Sequence, residues 1–467
     1  MGKYKKLFKN LGILTIGQFG SKILVFLLVP LYTSVLSTEE YGTYDLIFTT
    51  INLLYPIATL NIAVAVQRFL LDNNCLRDDT IFSGLKYTFI GLAIIGGCLA
   101  INNYLGLYAV VKDNEFWFIT MYFVLSFNAL LIEIAIGSDK IKLVSISGVI
   151  STIVMIMANI LFLVILKWGL AGYFIANIVG TLSQVIYLVI RLGLIKRYDH
   201  SEFSKNNEMA MLKYSRPQIA NTIAWWINNA SDRYVVTWLC GISVNGIYSV
   251  GYKIPSILNV VQNIFGQAWG ISAVKNFDEK DDDGFFLKTY NLYNSGMIIC
   301  CSIIILSTKI IAKFMYAKEF YDAWFYVPIL SIASVFGAMS GYLGGIFAAK
   351  KEAKLFAKST VIGAITNVIL NIILVMMFGA IGAAIATLIS YVVIWAFRLI
   401  HARKYIELNL PISRDVVSYL FLVLQASLLM AISNQMIMYS FGIIVFLIII
   451  LLRINEFKTV YSAIKKK

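Results

Sequence analysis

Long apolar runs recur along the whole sequence, about every 25 to 35 residues, and each is long enough to cross the hydrocarbon core of a bilayer as an α-helix. The alternation of polar and apolar residues that is typical of barrel strands is absent. In hydrocarbon, only helices and closed barrels satisfy their own backbone hydrogen bonds, so the sequence predicts an all-α polytopic membrane protein. A hydrophobic fraction of 59% over 467 residues agrees, because one water-soluble core cannot hide so much apolar material.

Charged and turn-forming clusters divide these runs into about fourteen predicted spans. The approximate ranges are 11–36, 43–67, 82–105, 115–137, 143–167, 171–191, 216–240, 246–275, 287–312, 325–348, 355–378, 380–400, 415–434 and 437–455. The first run follows "MGKYKKLFKN" and lacks a small-residue cleavage site. We therefore interpret it as an uncleaved span rather than a signal peptide.

The distribution of Lys and Arg predicts the orientation, since these residues are retained on the cytoplasmic side. A cytoplasmic N-terminus places 31 of the 39 basic residues in cytoplasmic segments and only five in outer loops. Both termini are therefore predicted to be cytoplasmic. The retention of basic residues on the cytoplasmic side and their contact with anionic lipid headgroups explain the net charge of +14. The charge therefore does not indicate a nucleic acid partner.

Motifs for enzymatic or metal chemistry do not occur in the sequence. The five cysteines show no C-x-x-C spacing, and His200 and His401 fall in predicted loops, so we expect neither a metal site nor a disulfide framework. The chain has no P-loop, nucleophile elbow or H-E-x-x-H motif. We therefore expect a protein that is not an enzyme and holds no cofactor.

Two segments in the first half of the sequence each recur in the second half. The segment "EEYGTYDLIF" (39–48) matches "ISVNGIYSVGY" (242–252), which aligns Gly42 with Gly246 and Tyr44 with Tyr248. Residues 142–177 match residues 354–387: Lys142, Leu143, Ser147 and Asn159 align with Lys354, Leu355, Ser359 and Asn371, and Gly169 aligns with Gly379 after a two-residue gap. Spans one and seven both begin inside, so we predict two parallel six-helix repeats plus two C-terminal helices. The predicted domains are 1–200, 201–404 and 405–467.

Polar residues follow helical spacing on the first two spans of each repeat. These stripes are Thr15, Gln18 and Lys22; Asp45, Thr49, Asn52, Pro56 and Thr59; Asn221, Trp225, Asn228, Asn229, Asp232 and Arg233; and Lys253, Ser256, Asn259, Asn263 and Gln267. Polar side chains within a span face protein or a water-filled cavity, so we predict one central cavity lined by spans one, two, seven and eight. Pro56 and Pro255 each remove a backbone hydrogen bond and are candidate hinges. For any single stripe residue, ordinary hydrogen bonding between helices is the alternative.

Three cations lie within spans and away from the cytoplasmic ends: Lys22, Arg233 and Lys253. A charge at mid-bilayer costs at least about 2.5 kcal/mol, which makes such residues functional candidates. We expect all three to face one anionic ligand. The neighbouring candidates for binding it are Asn229, Asn259 and Asn263.

The acids within spans are Asp45, Glu133 and Asp232. Asp232 and Arg233 are adjacent on a helix, where their side chains diverge by about 100°, so each is expected to find another partner. Lys253 is one option for Asp232. A purely structural ion pair between helices is the alternative to a functional role.

Four motifs carry a family resemblance: "LVPLYTSVLSTEEYGTYDL", "SDRYVVTWLCGISVNGIYSVGYKIPSI", "VPIL" at 327–330 and "NVILNIILVMMFGAIGAAIAT". In this order and spacing the sequence resembles bacterial oligosaccharide flippases of the O-antigen (Wzx) type, in the multidrug/oligosaccharidyl-lipid/polysaccharide exporter superfamily. The resemblance implies a carrier in the bacterial cytoplasmic membrane that moves undecaprenyl-diphosphate-linked sugar repeat units by alternating access, coupled to an ion gradient.

The resemblance also implies roles for individual residues. Arg233 and Lys253, assisted by Lys22, become candidates for binding the diphosphate or acidic sugars. Asp45, Asp232 and Glu133 become candidates for ion coupling, since a buried carboxyl can take up a proton. Besides the lipid-linked oligosaccharide and membrane lipids, the implied partners are a polysaccharide polymerase and a chain-length regulator, and a monomer suffices for transport.

Three other functions are compatible with parts of this sequence. A multidrug antiporter of the same superfamily and a sugar carrier of the major facilitator class share the expected architecture, although the loop "RFLLDNNCLRDDTIFSG" lacks the facilitator signature. A membrane-embedded polymerase or glycosyltransferase would act on the same lipid-linked sugars. Such an enzyme tends to carry a large outer loop, whereas every predicted outer loop here is short.

Overall fold

The computed structural model describes residues 24–72, 76–194, 204–407 and 409–465, and these residues are helical almost throughout, without a strand among them. The chain forms two compact units, Met1–Trp226 and Ile227–Lys467. The boundary between the units falls inside one long helix, α9.

The described residues of the first unit form eight α-helices and the beginning of a ninth. In chain order they are α1 (Val29–Val35), α2 (Thr38–Ala58), α3 (Ile62–Leu70), α4 (Arg77–Leu105), α5 (Ala109–Asp113), α6 (Glu115–Gly137), α7 (Ile141–Asn159), α8 (Gly169–Leu192) and α9 (Lys205–Cys240). Helix α7 continues as a π-helix over Ile160–Ile165. The core of this unit lies where α3 packs on α4 and α6.

In the second unit, the described residues form the rest of α9 and eight further α-helices. They are α10 (Ile242–Gly251), α11 (Ser256–Lys275), α12 (Phe285–Met315), α13 (Val327–Ala349), α14 (Ala353–Phe378), α15 (Ala380–Ala402), α16 (Ile412–Ala431) and α17 (Gln435–Lys465), with a 3₁₀-helix at Lys318–Phe325. Helix α13 is buried along most of its length, because α11, α12 and α15 pack around it.

Within the described ranges, ten helices are long and apolar enough to cross a membrane, or eleven if the bent pair α2 and α3 counts as one span. The all-α polytopic membrane fold is thereby confirmed. Each predicted span overlaps a described helix, the first through residues 24–35. Helices α9 and α11 carry the polar stripes predicted for spans seven and eight, and neither helix is among the ten. The number fourteen, the six-helix repeats, the domain bounds and the cytoplasmic termini stay predictions.

The glycines that the repeat aligns occupy equivalent turns in the two units. Gly169 and Gly379 join α7 to α8 and α14 to α15, and both have positive φ, +53° and +68°. Such a backbone conformation strains any residue with a Cβ. Three residues later, a Cβ on Gly172 would lie 2.9 Å from a backbone oxygen of the π-helix, and a Cβ on Gly382 would lie 2.1 Å from the carbonyl oxygen of Leu374. The second glycine of each pair therefore lets two helices approach closely.

The two-residue gap in the repeat also has a structural counterpart. The additional residues of the first copy fall between Asn159 and Gly169, where α7 widens into the π-helix. A π-helical turn accommodates extra residues within a continuous helix. The second copy, from Asn371 to Gly379, stays α-helical.

Replacing Gly382 by alanine is expected to destabilise the second unit. The new Cβ would meet the Leu374 carbonyl and force α14 and α15 apart, a type of overpacking that costs about 1 to 3 kcal/mol. Thermal unfolding of the purified protein measures this as a lower melting temperature. Gly296→Ala in α12 is the matched control, because nothing lies within 4 Å of the added Cβ. Equal melting temperatures for the two variants would contradict the close approach.

Both predicted hinge prolines lie at breaks between helices. Pro56 lies two residues before the end of α2, and α3 then departs at 61° after Leu60 and Asn61, both with φ of 52°. Pro255 precedes α11 directly, so predicted span eight consists of α10 and α11 with a break between them. A proline is well placed there because the first turn of a helix needs no intrahelical N–H donor.

The first turn of α2 is fixed by a capping box that also reaches another helix. Ser37 Oγ accepts the backbone N–H of Glu40 at 3.1 Å, and the Glu40 carboxylate accepts the N–H of Ser37 at 2.8 Å. The second carboxylate oxygen of Glu40 accepts the N–H of Leu170 at 3.0 Å. One side chain thus ties the start of α2 to the start of α8.

The first turns of α9 are anchored on α4. Glu208 accepts hydrogen bonds from Lys86 Nζ and from the Tyr87 hydroxyl, each at 2.7 Å, and Asn207 donates to Asp79 at 2.7 Å. Burial raises the pKa of the Glu208 carboxyl, but these hydrogen bonds and the Lys86 charge outweigh burial and leave the pKa below its ordinary value. The ion pair therefore stays charged at neutral pH.

A ladder of buried polar contacts joins the two C-terminal helices to α12. Asp415 of α16 forms an ion pair with Arg453 of α17 at 2.8 Å, and both side chains are fully buried. Tyr290 of α12 donates to Asp415 at 3.0 Å, and Ser302 of α12 donates to Gln425 at 2.7 Å. These contacts fix α16 and α17 on the second unit.

Candidate functional site

Asp232 is the centre of the polar cluster in the second unit. It lies in the second half of α9 and is only 2% exposed. Oδ2 accepts hydrogen bonds from the hydroxyls of Tyr248, at 2.7 Å, and Tyr252, while Oδ1 accepts the backbone N–H of Arg233 at 3.0 Å. The partners of Asp232 are thus two tyrosines rather than Lys253, because Tyr248 and Tyr252 lie one turn apart and face α9 together.

Arg233 has contacts of its own beside those of Asp232. Its Nε donates to Ser249 Oγ at 3.3 Å, and its guanidinium lies 5.2 Å from the centre of the Tyr252 ring. A cation over an aromatic face is attracted by the ring quadrupole. Tyr252 therefore contacts both charges, its hydroxyl bonding Asp232 and its ring supporting the half-buried Arg233.

A small polar cavity lies beside this cluster, between α9, α11, α13 and α15. Its volume is about 40 Å³, which suits water or one small ion and is too small for a sugar. The lining residues are Asn228, Asn229, Tyr252, Asn259, Gln262, Leu330, Ala333, Ser334, Gly337, Thr387 and Tyr391. Tyr391 donates to Asn229 Oδ1 at 2.7 Å, so the wall carries an ordered hydrogen bond.

The other predicted residues of the second unit are placed as follows. Asn259 lines the cavity, and Asn263 lies one turn further along α11 on an exposed position. Lys253 is half-buried in the break between α10 and α11, two residues before Pro255. The structure thus brings Asn229 and Asn259 to one cavity and leaves Asn263 outside its lining.

The predicted acids of the first unit lie on separate helices. Asp45 is half-buried on α2. Glu133 lies on α6, and its Oε2 is buried without a hydrogen-bond partner among the described residues. Lys22, the third predicted cation, lies outside the described residues. The predicted cavity lined by spans one, two, seven and eight stays a prediction.

Four residues around the site were not predicted as site residues. Tyr248 and Tyr252 hold Asp232, Tyr391 lines the cavity, and Arg398 is a buried cation on α15. Arg398 donates to Ser340 O at 2.9 Å and to the hydroxyls of Ser359 and Thr360, and it packs on the Phe356 ring. The four-residue spacing of Tyr248 and Tyr252 was the available signal, whereas Tyr391 stands in an ordinary apolar run.

The arrangement places a buried acid and a half-buried cation on neighbouring positions of α9. Asp232 bridges α9 and α10, so a change in its charge changes how firmly the two tyrosines hold these helices together. Arg233 adds a cation on the face of α9 that contacts Ser249 and Tyr252. Among the described residues, no group of three or more His, Cys, Asp or Glu side chains could hold a metal ion.

Comparison with known proteins defines the family. The family described as polysaccharide biosynthesis protein matches residues 7–269, more than half of the chain. The chain belongs to this family. No curated protein sequence matches it.

The fold is similar to that of solved membrane transporters. "Lipid II flippase MurJ" in an inward closed conformation matches with a TM-score of 0.69 and 15% identity, over 97% of this chain and 99% of that chain. A multidrug resistance MATE family transporter of the MOP superfamily matches in its inward-facing conformation with a TM-score of 0.67 and 14% identity, over 88% of this chain and 96% of that chain. At these identities the likeness shows a shared fold.

Proposed function

We propose that this chain is a flippase that moves undecaprenyl-diphosphate-linked oligosaccharide repeat units across the bacterial cytoplasmic membrane by alternating access. The cargo would be a unit of O-antigen, capsule or a related surface polysaccharide. The observation that carries the proposal is the polysaccharide biosynthesis family, found on a chain with the fold of a lipid II flippase. The proposed transport includes no catalytic step.

The polar cluster of the second unit supports this function. Arg233 and Lys253, together with Lys22, would bind the diphosphate or acidic sugars, and Asn229, Asn259 and Asn263 would bind sugar hydroxyls. Asp232, Asp45 and Glu133 would couple transport to an ion gradient. The breaks at Pro56 and Pro255 supply positions where helices can bend during alternating access.

Complementation of a flippase-null strain tests the proposal, with surface polysaccharide as the readout. The wild-type chain is expected to restore it. Arg233→Gln and Lys253→Gln should each reduce it at least about tenfold, because a hydrogen bond to a charged group contributes about 1.5 to 3 kcal/mol. Lys112→Gln on the exposed α5 is the control and should behave as wild type. Full activity of both site variants would reject the anion site and leave the flippase proposal intact.

A second candidate is a multidrug antiporter, which the fold shared with MATE transporters favours. The same strain separates the two candidates. Increased drug resistance without restored polysaccharide would favour the antiporter and contradict the flippase.

A further inference from the structure

An open cleft lies on the surface of the first unit, far along the chain from the polar cluster of the second. Its volume is about 420 Å³. The lining residues are Arg68, Phe69, Asp72, Ala210, Lys213 and Tyr214. They come from the end of α3 and from the first turns of α9, so two helices form its walls.

The cleft lies at the predicted boundary of the hydrocarbon. Arg68 directly follows the predicted span 43–67, and Tyr214 lies just before the predicted span 216–240. Both flanking segments are predicted to be cytoplasmic. Lipid phosphates lie immediately outside the hydrocarbon, at the depth that these span bounds predict for the side chains.

Two aromatic residues line the cleft. Phe69 and Tyr214 meet edge to face, with ring centres 6.3 Å apart. Phe69 also packs against the core of the first unit, whereas Tyr214 is 39% exposed. An aromatic ring with a polar tip is suited to the interface between hydrocarbon and water.

The rim of the cleft carries two cations and one acid. Arg68 forms an ion pair with Asp72 at 2.6 Å, but the two side chains are 50% and 55% exposed. Such an exposed pair holds its partners only weakly, so Arg68 can turn its planar guanidinium to a phosphate. Lys213 on the opposite wall supplies the second cation, and the net charge of the lining is positive.

The walls are held in place before any ligand arrives. Asn207 and Glu208, one turn before Ala210, are anchored to α4 by the contacts described above, and Asn61 contacts Thr222 further along α9 at 3.4 Å. A preformed cleft loses little conformational freedom on binding. We propose that this cleft binds the phosphate headgroup of an anionic glycerophospholipid from the cytoplasmic leaflet.

Binding of short-chain phosphatidylglycerol to the full-length protein in neutral detergent tests this proposal, with phosphatidylcholine as the zwitterionic comparison. Phosphatidylglycerol should bind more tightly. Lys213→Gln and Arg68→Gln should each weaken it about fivefold, since one cation near a lipid surface contributes about 1 kcal/mol. Asp72→Asn should strengthen binding, because it removes the competing acid. Lys142→Gln, an exposed cation outside the cleft, should have no effect.

Several results would overturn the proposal. Equal affinity for the two lipids, or an equal loss in Lys142→Gln, would show general surface attraction. Competition by glycerol phosphate at the concentration of the lipid would show a site for free anions. Tighter binding of undecaprenyl diphosphate at the same residues would assign the cleft to the transported lipid. Melting temperatures of the variants verify that each remains folded.

Discussion

Replacing Arg453 by methionine is expected to cost the protein about 3 to 5 kcal/mol of unfolding free energy, because the buried Asp415 carboxylate loses its close cation and keeps only Arg414, at 4.0 Å. Asp415 keeps the hydrogen bond from Tyr290, but one hydroxyl does not replace a charge. Helices α16 and α17 should then detach from α12 at lower temperature. Thermal unfolding in detergent, followed by gel filtration, measures this loss.

The double variant Asp415→Leu with Arg453→Met gives the matched comparison. Removing both charges avoids the uncompensated one, so its melting temperature should lie clearly above that of Arg453→Met alone. Arg68→Met breaks an ion pair that is half exposed, and it should leave the melting temperature unchanged. A double variant as unstable as Arg453→Met alone would contradict the ion pair as the source of stability.

Replacing Asp232 by asparagine is expected to abolish most transport while leaving the fold intact. The amide has almost the shape of the carboxylate and can still accept the N–H of Arg233. The amide cannot change its charge, so its hydrogen bonds with Tyr248 and Tyr252 no longer depend on the ionisation of residue 232. If Asp232 couples transport to an ion gradient, the variant should lose surface polysaccharide at least about tenfold, a change of about 1.4 kcal/mol.

The melting temperature separates coupling from a structural role of Asp232. Asp232→Asn should melt near the wild type, whereas Asp232→Leu leaves two tyrosine hydroxyls without their acceptor and should melt lower. Asp113→Asn on the exposed α5 serves as the control. Wild-type transport by Asp232→Asn, with the same dependence on a proton or sodium gradient, would remove Asp232 from the coupling mechanism.

Much of the fold could be predicted from periodic features of the sequence. Apolar runs of membrane-spanning length predicted the helices, because in hydrocarbon only helices and closed barrels satisfy the backbone hydrogen bonds. The aligned Gly169 and Gly379 identified equivalent turns, both with positive φ. Pro56 and Pro255 marked helix breaks because each lacks an N–H donor. The divergence of Asp232 and Arg233 follows from the geometry of a single helix.

Contacts between helices could not be predicted in the same way. Tyr248 and Tyr252 bind Asp232 only because α10 packs beside α9, and sequence spacing does not encode that packing. Arg398 and Arg453 lie near the ends of predicted spans, where a long cation usually extends to the interface. Both are instead buried by neighbouring helices. The break that separates α10 from α11 was expected only as a bend within one span.

Direct translocation of a lipid-linked oligosaccharide tests the central claim. The purified full-length chain is reconstituted in vesicles with undecaprenyl-diphosphate-linked repeat units, and an external glycosidase reports which units have reached the outer leaflet. The proposed function predicts that units from the inner leaflet become accessible only in vesicles that contain the protein, and more slowly with Arg233→Gln. Accessibility that equals that of protein-free vesicles would contradict the flippase.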